Sequence, residues 1–250
     1  DYSNTENEWS EIIANLLEES VKKRLVADVP VGVFLSGGLD SSIISLLAQN
    51  NSNSKIKTFS INFSEKTFDE SKYSNYFSKK IDSNHHHQVV GSDNIEDICA
   101  ELFSKIDEPL SDSSLISYYL LTKFAQKKIK VALGGDAADE LFAGYDTFKA
   151  INYANIMKIL KIDKINPFLR FLTSKMPTKY GNMNLKFKFN RFLRFKGGNL
   201  GTSHPNWLSP LDSSEISELF NEKTNDTEIF SEAIELWEKN KSNNNLDKSL

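Results

Sequence analysis

"VGVFLSGGLDSS" spans Val31 to Ser42. Its first half is a short apolar, β-branched run, the pattern of a strand buried on both faces. Its second half gathers two glycines, three serines and Asp40. Helical character resumes over Ser41–Gln49. The stretch therefore predicts strand, polar glycine loop, helix. In an open parallel sheet ligands bind at the carboxyl ends of strands, where loops lead into helices. Paired glycines let backbone approach an anion, and the unpaired N–H groups of the next helix point toward it. Serine hydroxyls add uncharged donors. Asp40 would repel a phosphate unless a cation lies between them, so it points to Mg²⁺. The loop is neither G-x-x-x-x-G-K-S/T nor G-x-G-x-x-G.

The pattern around this stretch alternates. Residues 8–27 have helical spacing of Trp9, Ile12, Ile13, Leu16, Leu17, Val21 and Leu25. Residues 55–63 predict a second strand, 69–81 a helix, 85–90 a third strand and 95–106 a helix. Residues 113–128 predict a long helix, 128–135 a fourth strand and 136–142 the start of another helix. Strands alternating with helices mean an α/β fold: an open, mostly parallel twisted sheet with helices on both faces. After about residue 150 the texture changes. Residues 151–196 carry eleven Lys or Arg and one acid, Asp163, whereas residues 197–250 carry ten acids and four Lys. With Phe187, Phe189, Phe192, Leu193 and Phe195 clustered, 151–250 is expected to be a helical extension of the α/β domain at 1–150. Its basic helix face is expected to pack on the acidic segment rather than on RNA.

Composition narrows the class. The 250 residues are 39% hydrophobic with a formal charge of −4, which gives no global signal for nucleic acid. No apolar run approaches the roughly 18 residues of a membrane span, and no signal peptide is evident. Cys99 is the only cysteine, which fits a reducing cytoplasm and excludes a Cys-based metal cluster. His85, His86 and His87 alternate faces on a strand, so at most two point the same way. They are expected to be a solvated strand end rather than a metal site. The polar start without an initiator Met reads as a piece of a longer chain.

A second motif, "ALGGDAADELFAGY" (132–145), follows the fourth strand. Gly134 and Gly135 sit at a strand end, followed by the carboxylates Asp136, Asp139 and Glu140. Acids suit a helix N-terminus, which offers capping as one reading of Asp136. One helical turn separates Asp136 from the other two, which offers convergence on a metal-nucleotide site as the other.

The first loop resembles the PP-loop, S-G-G-x-D-S, of the ATP pyrophosphatase (HUP-like) superfamily, matched by Ser36, Gly37, Gly38, Leu39, Asp40 and Ser41. The second motif resembles the asparagine synthetase signature S-G-E/D-G-A/S-D-E-x-F-x-G-Y at Asp136, Ala138, Asp139, Glu140, Phe142, Gly144 and Tyr145. Gly134 stands for the usual Ser and Ala137 for the usual Gly. If position 137 needs φ > 0, Ala there is strained. "DEPLSDSSLISYYLLTKFA" (107–125), with Glu108, Pro109, Asp112 and Ser114, "TFSINF" (58–63) and "HPNWLSPL" are similar to further family segments. The absent C-x-x-C argues against the tRNA-thiolating branch.

The resemblance implies ATP and Mg²⁺ as cofactors. It implies that Leu35 and Ile61 flank adenosine, that Ser36, Gly37, Gly38, Ser41 and Ser42 hold pyrophosphate, and that Gly134 and Gly135 border the nucleotide. It places Asp40 and Asp139 by the metal and Asp136 near the reacting centre. The implied reaction joins ammonia to aspartate through β-aspartyl-AMP. A related amidotransferase acting on another carboxylate, such as a sugar acid, and a non-catalytic nucleotide-binding module are the alternatives. The family's glutamine-hydrolysing domain has no counterpart in these residues. The sequence therefore reads as a synthetase domain trimmed at both ends, expected to bind nucleotide weakly and turn over poorly. No nucleic-acid or membrane partner is implied, and a homodimer is left open.

Overall fold

The structure is a computed structural model that describes residues 4–65, 69–91, 95–108, 110, 112, 114–159, 161, 168–169, 171–173, 175, 185–194 and 200–249. Pro109, Asp163 and Phe195, named above, lie outside the described residues, as does Ser113 at the start of the helix expected over 113–128. The chain divides into two compact units, Asp1–Asp136 and Ala137–Leu250. This division falls ahead of the change in composition near residue 150.

The first unit runs α1 (Glu6–Leu25), β1 (Val31–Phe34), α2 (Leu39–Asn50), β2 (Lys57–Phe63), α3 (Ser71–Lys80), β3 (Asn84–Val90), α4 (Ile95–Phe103), α5 (Ser114–Ala125) and β4 (Val131–Leu133). The four strands are ordered β3-β2-β1-β4, and every pairing is parallel. Val33 lies between Thr58 of β2 and Leu133 of β4. The chain thus moves outward from β1 to β2 and β3, then returns to the other side of β1. That reversal places the sheet's switch point at the carboxyl ends of β1 and β4.

Helices cover both faces, as the alternating pattern predicts. On one face Phe34, Phe59, Ala125 and Ile129 form a buried cluster with Leu121 and Phe124 of α5. On the other, Val33 packs with Val21 of α1, Ala48 of α2 and Ile56, joined by Leu133. Gly32 has a packing reason: a Cβ there would lie 2.9 Å from both Phe59 Cε2 and Ile129 Cδ1. Fully buried Phe59 contributes about 2–3 kcal/mol by removing its ring from water.

Several boundaries differ from the sequence pattern. α1 starts earlier, at Glu6, because Thr5 and Glu8 form a capping box. β4 is shorter than 128–135: the Lys128 and Ile129 N–H groups both donate to Ala125 O, closing the end of α5. The helix expected over 136–142 is a single turn, α6 (Ala138–Leu141).

The histidine segment is a correction. His85 is not a solvated strand end but half-buried. Its Nδ1 pairs with Thr58 Oγ1 at 2.9 Å and its Nε2 with Ser60 Oγ at 3.3 Å. Thr58, Ser60 and Asn62 are buried, so this face of β2 is polar, and α3 packs on it. His87 stacks on His85 at 5.9 Å. Burial, followed by the charges of His87 and His86, lowers the His85 pKa to about 4.

The second unit is helical among its described residues. After α6 come α7 (Asp146–Ile159), α8 (Leu185–Phe192), α9 (Leu200–Leu208), α10 (Ser213–Phe220), α11 (Asp226–Ile229), α12 (Ser231–Lys239) and α13 (Asn245–Ser249). Phe148, Ile151 and Trp207 form its core, with Phe192, Leu200 and Leu246 packed around them. The basic segment engages the acidic one through two arginines. Arg191 donates to Trp207 O at 3.0 Å. Arg194 donates to Ser209 O at 2.7 Å and to Glu215 Oε2 at 3.0 Å. Cations at these carbonyls suit the C-terminal end of α9. Among the described residues no helix is long and apolar enough to cross a membrane, and Cys99 on α4 is unpaired.

Candidate functional site

The loop after β1 is built from its own hydroxyls. Ser36 Oγ accepts from Gly38 N at 3.2 Å and lies 2.9 Å from Ser41 Oγ. Ser41 Oγ in turn contacts Gly38 O at 3.3 Å. Gly38 is the N-cap of α2 in extended backbone and contributes no side-chain bond, so the cap itself does not satisfy the first-turn N–H groups of α2. Ser41 and Ser42 are buried at the foot of the loop. Leu35 is buried, and its N–H donates to Phe59 O at 2.8 Å. Its side chain is therefore core, and only its backbone borders the loop. Ile61 lies on the α5 face of β2 and is partly exposed.

Gly37 has φ +94°, a conformation that excludes side chains readily. A Cβ there would also lie 2.6 Å from Ser74 N and Tyr73 Cβ. The N-terminal turn of α3 thus backs the loop, a relation that spacing alone does not reveal.

The two motifs meet at the switch point. A Cβ on Gly135 would lie 2.8 Å from Ser41 N and 2.9 Å from the Asp40 carbonyl carbon. The loop after β4 therefore lies backbone to backbone against the start of α2. Both glycine pairs, with Ser36, Ser41, Ser42, Asp40 and Asp136, belong to the first unit.

Asp136 precedes the N-cap of α6 and does not cap it. The N-cap is Ala137, which makes no side-chain bond. Its φ of 67° and ψ of 5° are left-handed, so the condition that makes alanine strained here is met. Asp139 and Glu140 belong to the second unit, which starts at Ala137. Tyr145 donates to Glu140 Oε1 at 2.7 Å, and Gly144 N donates to Asp139 O at 2.9 Å. Gly144 has no side chain where Asp139 Oδ1 lies, since a Cβ would contact that oxygen.

Sequence reading missed Tyr118. Its ring meets Phe34 of β1 edge-on at 5.7 Å, near the strand's carboxyl end. Burial and then the Asp136 charge raise the Tyr118 pKa above its ordinary value. The motif 114–125 placed Tyr118 on a helix but carried no signal of which side faces Asp136.

Among the described residues, no group of three or more His, Cys, Asp or Glu side chains forms a metal site. A hard cation held by one or two carboxylates, with ligand phosphates completing its shell, would need no such group.

An open parallel sheet with two glycine-rich loops in contact at its switch point defines the class: an open, parallel α/β domain. The asparagine synthase family profile matches residues 13–241, and the chain belongs to that family. It is 38% identical over 165 residues to a protein named putative glutamine-hydrolyzing asparagine synthetase 2 in Methanocaldococcus jannaschii, covering 66% of this chain and 31% of that one. It is 33% identical over 137 residues to glutamine-hydrolyzing asparagine synthetase 1 of Bacillus subtilis, covering 55% and 22%. It is 32% identical over 161 residues to the amidase chyE of Penicillium rubens, covering 58% and 24%. The chain thus spans about a third or less of these curated relatives.

Proposed function

We propose that the protein carrying this chain performs ATP-dependent amide synthesis, with aspartate as acceptor and ammonia, drawn from glutamine, as donor. The observation that carries this reading is the contact of Gly135 with Asp40 and Ser41, which joins the two motifs at one strand end. The hydroxyls of Ser36, Ser41 and Ser42 and the first-turn N–H groups of α2 would hold the β,γ-pyrophosphate. Leu35 and Ile61 would border the nucleoside. Asp40 would face Mg²⁺, which, when bound, offsets phosphate charge.

The acceptor's side-chain carboxylate oxygen attacks the α-phosphorus and pyrophosphate leaves, giving β-aspartyl-AMP. Ammonia then attacks the acyl carbon and AMP leaves. The N–H and hydroxyl donors are in place before the leaving group develops charge, so the chain contributes positioning and electrostatics. Asp136, at the open end of the site, would orient the incoming nitrogen.

The departures at Gly134 and Ala137 leave room for a second reading, in which the acceptor is a different carboxylate; one similar protein is named an amidase. Pyrophosphate release from Mg·ATP and ammonia, measured with and without L-aspartate, separates the two. Dependence on aspartate supports the first reading. Bound Mg·ATP without such dependence supports the second. If Asp40→Ala leaves Mg·ATP binding unchanged, the loop's assigned role is wrong.

A further inference from the structure

We propose that Gly134 is a positioning residue for Asp136, kept without a side chain so that the Asp136 carboxylate can seat against its Cα. This inference rests on the placement of Asp136 near the reacting centre.

The usual reasons for a glycine do not apply at this position. Among the described glycines the positive φ belongs to Gly37, not Gly134, so φ at 134 does not itself require a glycine. The fold does not close on it either. A Cβ built on Gly134 meets Asp136 Oδ2 inside contact distance and Asp136 Cγ at 3.3 Å; the third nearest atom is Asp136 N, at 3.9 Å. The side chain of Asp136 alone occupies the space. Gly135, one residue on, differs: its Cβ would press on the Asp40 and Ser41 backbone. The pair divides the work, Gly135 for loop packing and Gly134 for the acid's seat.

The seat also sets the surroundings of that acid. Tyr118, held edge-on against Phe34, is near enough to sense the charge of Asp136. A Cβ at 134 would overlap Asp136 Oδ2 where it now lies and displace the carboxylate. A displacement of about 1 Å in a reacting site can cost on the order of 10²-fold in rate. Gly134 therefore fixes where the negative charge at the strand end meets the acceptor and the incoming nitrogen.

The test is a double-mutant cycle of Gly134→Ala and Asp136→Ala in the protein carrying this chain. Four readouts are taken: melting temperature, Mg·ATP affinity by calorimetry, acceptor-dependent pyrophosphate release, and the Asp136 carboxyl ¹³C resonance. Gly134→Ala is expected to leave the melting temperature within about 2 °C, as a substitution that creates no buried defect does. Turnover should fall roughly 10- to 100-fold, by more than any loss of Mg·ATP affinity. The carboxyl resonance should move. In the Asp136→Ala background, Gly134→Ala should add no further loss, because nothing occupies the seat. An unmoved resonance, or additive losses in turnover, overturns the proposal. A moved resonance with turnover unchanged in both single variants upholds the seat and instead removes Asp136 from the reaction, which sinks that part of the functional reading.

Discussion

Ala137→Gly should stabilise this protein. Ala137 sits at φ 67°, ψ 5° as the N-cap of α6, and it is exposed, so the substitution opens no cavity. An L-residue with a Cβ costs roughly 1–2 kcal/mol in the left-handed region. Glycine removes that cost but gives the unfolded chain more freedom, worth about 0.4–1 kcal/mol in the opposite direction. The balance is a net gain of about 0.5–1 kcal/mol. For a chain of this size that raises the melting temperature by about 1–4 °C. Urea unfolding gives the free energy, and calorimetry gives the midpoint. Ala137→Val serves as the control: a β-branched residue is a poorer fit to positive φ and should destabilise by about 1–3 kcal/mol. A lowered midpoint for Ala137→Gly, or a Val variant as stable as the parent, would refute the argument that the loop stores strain at this residue.

Gly37→Ala should be far more damaging than Gly38→Ala. At Gly37 the added Cβ meets α3 at 2.6 Å with φ +94°, costing roughly 1–3 kcal/mol of backbone strain besides the clash, and Mg·ATP binding should disappear. At Gly38 the nearest atom is Ser36 Oγ at 3.4 Å and φ is −66°, so the melting temperature should barely move; equal losses at both would show that the loop is not held as described. The His85 site should make stability fall between about pH 6.5 and about pH 4. The folded pKa is lowered to about 4, so across that window the unfolded chain binds a proton that the folded chain does not. Stability is thus fully present above the unfolded value and levels off below about 4. With the ring half exposed, the effect is discounted to roughly 1 kcal/mol. Urea midpoints at pH 7 and 4.5 should differ less in His85→Gln than in the parent; an unchanged difference would exclude His85 as the source.

Much of the architecture was legible because its causes are local. The β-branched run before Ser36 could be only a strand buried on both faces, and the glycines after it could be only a loop. The alternation of patterns implied crossovers, and crossovers imply a parallel sheet with helices on both sides. The boundaries slipped where hydrogen bonds rather than hydrophobic period decide them, as at Thr5–Glu8 and at the close of α5 on Ala125. The demand for φ > 0 at residue 137 was also foreseeable, since it follows from the residue type usual at that position.

What remained hidden depends on which distant segments come together. A period of two places His85 and His87 on one side of β3, but not whether α3 will cover that side and bury His85 against Thr58 and Ser60. Nothing along 114–125 distinguishes Tyr118 as the residue facing Asp136. The two glycines of 134–135 are identical in sequence; their different duties arise because one faces the Asp40–Ser41 backbone and the other faces a carboxylate two residues on. Backbone conformation and alternation are properties of a few adjacent residues, so they are written in the chain itself. Packing partners and the volume left to a side chain are properties of segments brought together by folding, and only the tertiary structure assigns them.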